Sequence, residues 1–400
     1  MSRRYAWVAL SGLFAGAVSI PINQYKVPPV MPVLMEAFSL DLTTANLLMS
    51  VFSLAGLVLA IPAGLIVHGI GPRRAGLISI GSVVIGAALG AVSGGATALL
   101  LSRTIEGLSF VFMMIGAPAI IAVWFSAQDR GVPMGIFATW VPVGNMIAFV
   151  VAPALAVQFG WQAIWWFGCA YGTLTFLVFW VLVRMPTEAA ELADTSNPTG
   201  TGQLSRGQST AAVRRALANR DVWLLGLMFL CFTMCFPAFM ANMPTFLHTV
   251  RGYTLATAGL IVSLSSIAAI VSCPAVGWIS DRISSRKTVY MVAYLALTVL
   301  WVLPFRVTGA AIPLFMIGFG VFAPAIPTMV MASVPEIVER PELAGIGMGV
   351  VVMVQNLGLL LGPVIFGRIV QTTGSWVMAG YALTPFCVLG VVVGLTVRVR

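Results

Sequence analysis

The chain has 400 residues, of which 60% are hydrophobic and only 8% are charged. Soluble globular domains typically carry about 25% charged residues, so this composition excludes a soluble enzyme or binding domain of the ordinary kind. The net charge of +9 would suit a nucleic-acid-binding protein. However, apolar runs long enough to cross a hydrocarbon core of about 30 Å recur along the whole chain, which predicts an integral membrane protein.

In chain order, the apolar runs predict twelve membrane-spanning helices. The first six are expected at residues 5–36, 43–67, 75–94, 97–125, 131–157 and 161–184. The second six are expected at residues 219–247, 254–279, 287–305, 309–334, 343–370 and 376–397. The segment between the two sets is rich in Thr, Ser, Gly, Asn and Gln and has too few apolar side chains to fold.

The predicted fold is therefore an all-α membrane protein of two six-helix bundles. The N-terminal bundle is expected at residues 1–185, a flexible cytoplasmic linker at 186–213 and the C-terminal bundle at 214–400. Most of the Lys and Arg residues lie on one set of alternate loops and on both termini, as they do on the cytoplasmic side of membrane proteins. Both termini are thus expected in the cytoplasm, in a multi-pass protein of the inner membrane that contacts lipid and no nucleic acid.

A short hydrophilic turn recurs once in each half. Residues 277–287 read GWISDRISSRK and residues 64–74 read GLIVHGIGPRR. The glycine and the two final cations keep one offset, since 277 − 64, 286 − 73 and 287 − 74 all equal 213. The chain is therefore predicted to contain a duplicated unit, with His68 in the first copy where Asp281 stands in the second.

The pattern G-x-x-x-D-R-x-x-x-R-K between two spans resembles the loop signature of the major facilitator superfamily. The second copy matches it fully, whereas the first departs at His68 and Gly69. The resemblance covers all 400 residues, because it includes the duplication and the span count, and the overall texture is similar to bacterial permeases of the cyanate and nitroimidazole type. It implies a secondary transporter whose two bundles expose a central site alternately to each side. The gating-motif residues are Gly64, Arg73, Arg74, Gly277, Asp281, Arg282, Arg286 and Lys287.

Two contacts are expected from this motif at the cytoplasmic surface. Asp281 should face the helix N-terminus near Gly131, where a carboxylate is favoured by the helix dipole. Arg73 and Arg74 should pair with the acids of the loop before span eleven. Those acids are Glu336, Glu339 and Glu342.

Three charged residues lie well inside predicted spans, away from the span ends, where a charge is costly and usually faces a cavity or a partner. Lys26 lies in span one, and Arg103 and Glu106 share one face of span four at i, i+3 spacing. The resemblance implies that spans one, four, seven and ten line the central cavity, and Arg103-x-x-x-Gly107 resembles a family motif associated with proton-linked exchange. Other interpretations stay open: Arg103 and Glu106 could simply neutralise one another, and Lys26 could extend toward the outer surface.

Two cations against one acid favour a small anion as substrate, such as a carboxylate or an inorganic oxyanion. Glu106 is the candidate proton carrier, because burial favours its neutral form and Arg103 favours its ionised form. Uncharged polar side chains in other spans supply the rest of the predicted lining. The candidate substrate-binding residues are Asn23, Tyr25, Lys26, Arg103, Trp140, Asn145, Asn242, Gln355 and Asn356.

The sequence shows no pattern of an enzyme site: there is no Ser–His–acid set and no phosphate-binding loop, and there are only two histidines. We expect no catalytic residue, no metal and no cofactor, and a monomer that binds a small anion and protons. Two alternatives stay open. One is a proton-coupled exporter of amphipathic drugs in which Glu106 binds cations, and the other is a membrane receptor or scaffold that does not transport.

Overall fold

The structure is a computed structural model that describes residues 3–126, 129–185, 218–283, 285–338 and 344–397. The predicted linker at 186–213 lies wholly outside these residues, as do Glu339, Glu342 and the side chains of His68, Asp281 and Glu336. Throughout the described ranges the regular secondary structure is helical.

The N-terminal half contains six spans, of which the first, second and fifth are interrupted. Span one consists of helices Arg3–Tyr25 and Met31–Phe38 with a 3-10 turn at Pro28–Val30. Span two consists of Leu42–Ser50 and Leu54–Ile70 around a 3-10 turn at Val51–Ser53. Spans three to six follow as Pro72–Ala91, Ala96–Trp124, Gly131–Ala138 with Trp140–Phe159, and Gln162–Leu182.

The C-terminal half repeats this arrangement. Spans seven to nine are Arg220–Thr249, Leu255–Ile283 and Arg286–Trp301. Span ten is formed by Ala311–Phe322 with Ala325–Ile337, and spans eleven and twelve are Ala344–Thr373 and Trp376–Thr396.

The structure confirms the all-α membrane fold, with one span shorter than expected. Among the described residues, 11 segments are long and apolar enough to cross a membrane. The remaining predicted span, at 287–305, forms a helix of only 16 residues, Arg286–Trp301. At about 1.5 Å per residue it is roughly 24 Å long, less than the hydrocarbon core of about 30 Å. Pro304 gives a reason for the early end, because proline lacks the N–H that a continuing helix would need.

The break in span one has a direct cause in the sequence. In an uninterrupted helix the N–H of residue 28 would bind the carbonyl of Gln24, but Pro28 has no N–H, and Pro29 repeats the defect for the next carbonyl. The last carbonyls of the helix Arg3–Tyr25 are therefore left without helical donors in the middle of the bundle. A partner from another span has to satisfy them.

The two halves pack closely at one face of the molecule. We call the face at which span one begins and span twelve ends the terminal face, and the other one the opposite face. Near the opposite face, Gly259 of span eight lies against the backbone carbonyl of Phe149 in span five. Gly367 of span eleven lies against Leu42 and Asn46 of span two. Glycine at both points lets the helices of the two halves come within backbone contact.

Polar side chains also join the two halves at this face. We call these contacts, together with those of Gly259 and Gly367, the opposite-face seam. The amides of Asn46 and Asn242 form two reciprocal hydrogen bonds, of 3.0 Å and 2.8 Å. At the rim, Gln371 of span eleven donates to the carboxylate of Asp41 over 2.8 Å and accepts from the hydroxyl of Thr43 over 2.6 Å. The opposite face is thus closed by contacts between the halves.

Several glycines near the terminal face have no close neighbour. Gly64 and Gly277, at the ends of spans two and eight, border open space with no atom in reach of an added methyl group. The same holds for Gly131 and Gly135 at the start of span five. The close glycine contacts that join the halves near the opposite face therefore do not recur at these four glycines.

Candidate functional site

The three charges predicted inside the spans form one cluster. The Lys26 ammonium lies 2.6 Å from Oε1 of Glu106, and the Arg103 guanidinium binds Oε2 of the same carboxylate. Lys26 also donates to Oδ1 of Asn23 over 2.8 Å. One acid on span four is therefore shared by a cation of its own helix and a cation of span one.

Arg103 supplies the donors that the break in span one removes. Its Nη2 donates to the carbonyl of Gln24 over 2.8 Å and its Nη1 to the carbonyl of Asn23 over 2.5 Å. Its Nε donates to the carbonyl of Leu48 over 2.9 Å, just before the interruption of span two. Together with Glu106, these partners occupy four of the five N–H groups of the guanidinium.

Two aromatic rings and a close helix contact hold the cations in place. The Lys26 ammonium lies 4.6 Å from the centre of the Trp165 ring, and the Arg103 guanidinium lies 5.0 Å from that of Phe52. Such cation–π contacts stabilise a buried cation. Gly107, one turn after Arg103, packs directly against the backbone carbonyl of Phe52, so the R-x-x-x-G pattern brings span four against the broken part of span two.

The cluster is closed to water in this conformation. Lys26 is 1% exposed, and Arg103 and Glu106 are 0% exposed. Among the side chains that the structure describes, no other charged group is buried. A solute can therefore reach Lys26 only after neighbouring side chains move.

The other predicted lining residues lie at several different places. Asn23 belongs to the charge cluster, and the ring of Tyr25 lies 6.1 Å from that of Phe149 in span five. Trp140 is 3% exposed and stacks on Phe137 inside the N-terminal half, so it lies in an aromatic core.

Asn242 lies at the opposite-face seam, paired with Asn46. On span eleven, the Nδ2 of Asn356 donates to the carbonyl of Val352 over 2.8 Å. Asn145 and Gln355 are 7% and 8% exposed, and the side-chain oxygen of each is buried without a hydrogen-bond partner in the described structure. Buried polar atoms are normally paired, so these two oxygens are free to accept a hydrogen bond from a solute.

Sequence reasoning missed two residues of this region. Asn46 carries no charge and lies near the start of an apolar run, where a single amide is a weak signal. Trp165 falls in a cluster of aromatic residues at a predicted membrane interface, yet it packs against Lys26. Only the fold reveals either role.

A comparison with models of known protein families identifies the family of this chain. Residues 13–363 match the Major Facilitator Superfamily. The chain belongs to this superfamily. Membership of this superfamily, together with the relatives described next, identifies the chain as a membrane transporter rather than an enzyme, as the sequence predicted.

The matches to several curated proteins extend over most of this chain and most of each relative. The chain is 22% identical over 394 residues to the "Probable sulfoacetate transporter SauU" of Cupriavidus necator, covering 94% of this chain and 88% of that protein. It is 23% identical to the "Probable L-galactonate transporter" of Escherichia coli, covering 94% and 86%. It is also 24% identical to the "Membrane sensor protein UhpC" of E. coli, covering 80% and 74%.

The superfamily loop motif has a structural role inside each half. Arg73 donates to the carbonyls of Val183 and Trp180 over 2.6 Å and 2.8 Å, at the end of span six. Lys287 donates to the carbonyls of Leu395 and Val397 over 2.7 Å and 2.9 Å, at the end of span twelve. A cation suits the negative end of a helix dipole.

These two cations lie at equivalent places of the two halves, one position away from the offset read in the sequence, since 287 − 73 = 214. The contact expected between Asp281 and the start of span five involves a side chain outside the described structure. The same applies to the acids expected near Arg73 and Arg74, although Arg73 itself is engaged by the end of span six.

Proposed function

We propose that this protein is a secondary active transporter of a small organic anion, driven by alternating access and coupled to protons through Glu106. The observation that carries the proposal is the buried cluster in which Lys26 and Arg103 share one carboxylate. A cluster with more cations than acids attracts an anion, and buried charges in membrane proteins typically mark substrate and proton pathways. The names of two relatives, which specify sulfoacetate and L-galactonate, support an organic acid.

The geometry suggests how binding and protonation cooperate. An entering carboxylate competes with Glu106 for the Lys26 ammonium. Once Glu106 loses that partner inside a low-dielectric site, its neutral form becomes more favourable. A proton on Glu106 in turn releases Lys26 for the substrate. Each event therefore promotes the other, which is the requirement for coupled transport.

In this proposal Arg103 makes fewer direct contacts with the substrate than the sequence analysis expected. Paired donation of its guanidinium to a carboxylate would need two free N–H groups, and only one remains. We therefore assign the direct contact to Lys26, with Asn145 and Gln355 as further polar contacts from spans five and eleven. The cation-rich loops, expected at the cytoplasm, orient the terminal face inward.

The proposal is tested by transport in proteoliposomes with the variant Glu106→Gln. We expect uphill accumulation of an organic acid to collapse, because the amide cannot carry a proton. Exchange of internal for external substrate should persist, since exchange does not require the empty carrier to reorient. Full uphill accumulation in this variant would contradict proton coupling through Glu106, and loss of both activities in a folded protein would make Glu106 a structural partner of Arg103.

A receptor without transport activity is a second candidate, favoured by the similarity to the membrane sensor protein UhpC. The same proteoliposomes distinguish it, because a receptor binds the acid but moves none of it across the membrane. Binding of lipophilic cations that persists in Lys26→Gln would instead identify a drug exporter.

A further inference from the structure

The net charge of the cluster follows from its three ionisable side chains. Lys26 and Arg103 carry two positive charges and Glu106 carries one negative charge, so the cluster has a net charge of +1 when all three are ionised. All three are at most 1% exposed, and water cannot offset the remaining charge. An uncompensated charge inside a protein is costly, and the cost falls when an opposite charge enters.

The remaining positive charge is located at Lys26. Arg103 has the carboxylate of Glu106 and three backbone carbonyls around it. Lys26 has one shared carboxylate oxygen, one amide oxygen and the face of an aromatic ring. Arg103 thus positions the broken ends of spans one and two, and the ammonium is the group that lacks a full counter-charge.

Neighbouring elements do not change this sum. Span two from Leu42 to Val67 and span three after Arg74 contain no ionisable residue, and neither does span five. Span seven packs against Pro28–Val30 and has its only charged or imidazole side chains at its two ends, Arg220, Asp221 and His248. The titratable groups on span one and span six nearest to the cluster are Tyr25 and Cys169, and neither is a carboxylate or a cationic side chain. The charge balance of the site therefore depends on Glu106.

We infer that the site is matched to a single negative charge: it binds monoanions without requiring a proton on Glu106, and it binds a dianion only together with a proton on Glu106. This inference rests on the proposed function and adds the charge of the substrate to it. A monoanion brings the cluster to zero. A dianion brings it to −1 unless Glu106 takes up one proton, which restores zero.

The test is calorimetric binding to the purified full chain in lipid nanodiscs. The probes are acids that share a carbon skeleton and differ in the number of carboxylates: gluconate with glucarate, and 2-hydroxybutyrate with malate. At pH 7.5 we expect each monoanion to bind at least about tenfold more tightly than its dianion, because an unpaired like charge in a buried site is strongly disfavoured. Repeating the titration in buffers of different ionisation heat should show uptake of about one proton more with the dianion than with the monoanion.

Two variants that each remove one negative charge, one inside the cluster and one far from it, serve as test and control. Glu106→Gln raises the charge of the cluster to +2, so the preference should reverse toward the dianion and the proton uptake should vanish. Glu36→Gln removes a carboxylate that is exposed at the opposite end of span one, so it should keep the wild-type preference and the wild-type proton uptake. Lys26→Gln lowers the sum to zero and should weaken binding of both members of each pair.

The outcomes separate this inference from the function on which it rests. Equal affinity for mono- and dianion in the wild-type protein, without proton uptake by the dianion, would overturn the charge match and leave an anion transporter. Binding of none of the four acids at any pH from 5.5 to 7.5 would overturn the proposed function itself. The wild-type titrations decide between these results even if Glu106→Gln does not fold.

Discussion

At the residue scale, one arginine links two broken helices to one acid. Arg103 binds carbonyls that lie beside the interruptions of spans one and two, and it neutralises Glu106 in the same place. The planar guanidinium can meet several acceptors in different directions, whereas an ammonium is a compact point charge. Sequence analysis recognised the pair Arg103–Glu106, but it could not show that backbone carbonyls are the main partners of the arginine.

This arrangement predicts that lysine cannot replace Arg103. Arg103→Ala leaves a buried carboxylate with one partner fewer, a change that typically lowers the free energy of unfolding by about 3–5 kcal/mol. Arg103→Lys should recover only a minor part of that loss, because it cannot reach all three carbonyls. Thermal denaturation of both variants in detergent measures the difference, with Arg306→Lys at an exposed site as the control. A wild-type melting temperature for Arg103→Lys would contradict the capping role.

At the scale of elements, interrupted helices create the site. Pro28 and Pro29 end the first helix of span one in the middle of the bundle, and the 3-10 turn at Val51–Ser53 interrupts span two at the level of Arg103. Irregular backbone inside a membrane is tolerated only where other groups satisfy it. Span four does so by close approach, with Gly107 against the carbonyl of Phe52.

The close approach predicts a specific sensitivity to a methyl group. In Gly107→Ala the added carbon would collide with backbone that cannot rotate away, so spans two and four would have to separate. We expect a loss of stability of about 1–3 kcal/mol and weaker anion binding. Gly135→Ala is the matched control, because Gly135 is also helical but borders open space. An unchanged melting temperature in Gly107→Ala would show that the two helices can move apart freely.

At the scale of the whole molecule, contacts between the halves select the conformation. Asn46 and Asn242 form the buried part of the opposite-face seam, and each would be left with unpaired polar atoms if the other were removed. Such a loss costs about 1–3 kcal/mol, comparable to the difference between alternating states of many proteins. The seam is therefore a point at which a single substitution can shift the population of states.

We expect Asn46→Ala to open the opposite face more often. The measurement is the labelling rate of a cysteine placed at Thr245, which is 3% exposed near the seam, by a membrane-impermeant maleimide. Labelling should be faster in the Asn46→Ala background than without it. Asn46→Ala protein that lacks the introduced cysteine controls for the five native thiols. Equal rates in both backgrounds would mean that other contacts keep the face closed.

We expect closure of the opposite face to change little between pH 8 and pH 5, because the carboxyl at the rim of the seam is Asp41. Hydrogen bonds from Thr44, followed by that from Gln371 and the charge of Arg368, lower the pKa of Asp41 from its ordinary value of 3.8. A carboxyl whose pKa is depressed by folding contributes stability above its ordinary pKa and loses that contribution as pH falls through the lower value. The thiolate is the reactive form and becomes rarer as pH falls, so each labelling rate is divided by that of a free thiol at the same pH. This relative rate at Thr245→Cys should not rise between pH 8 and pH 5, the range in which substrate binding should change. A rise in that range would assign the pH response to the gate instead of Glu106.

Much of the fold follows from the sequence alone. Membrane insertion depends on the length and apolar content of each segment, which are local properties, so the spans and the duplicated halves were predictable with one correction at span nine. The three buried charges were equally visible, because a charge within an apolar run stands out. Spacing along one helix also placed Arg103 and Glu106 on a common face.

Only the tertiary structure decided how these elements work together. That Lys26 shares Glu106, that Trp165 packs against Lys26, and that Asn46 pairs with Asn242 all depend on contacts between spans that lie 80 to 196 positions apart. Helix packing inside a membrane has no hydrophobic periodicity to reveal it, because lipid and neighbouring helices are similarly apolar. The identity of each span is thus a local property of the sequence, whereas the partners of its polar groups are a property of the assembled bundle.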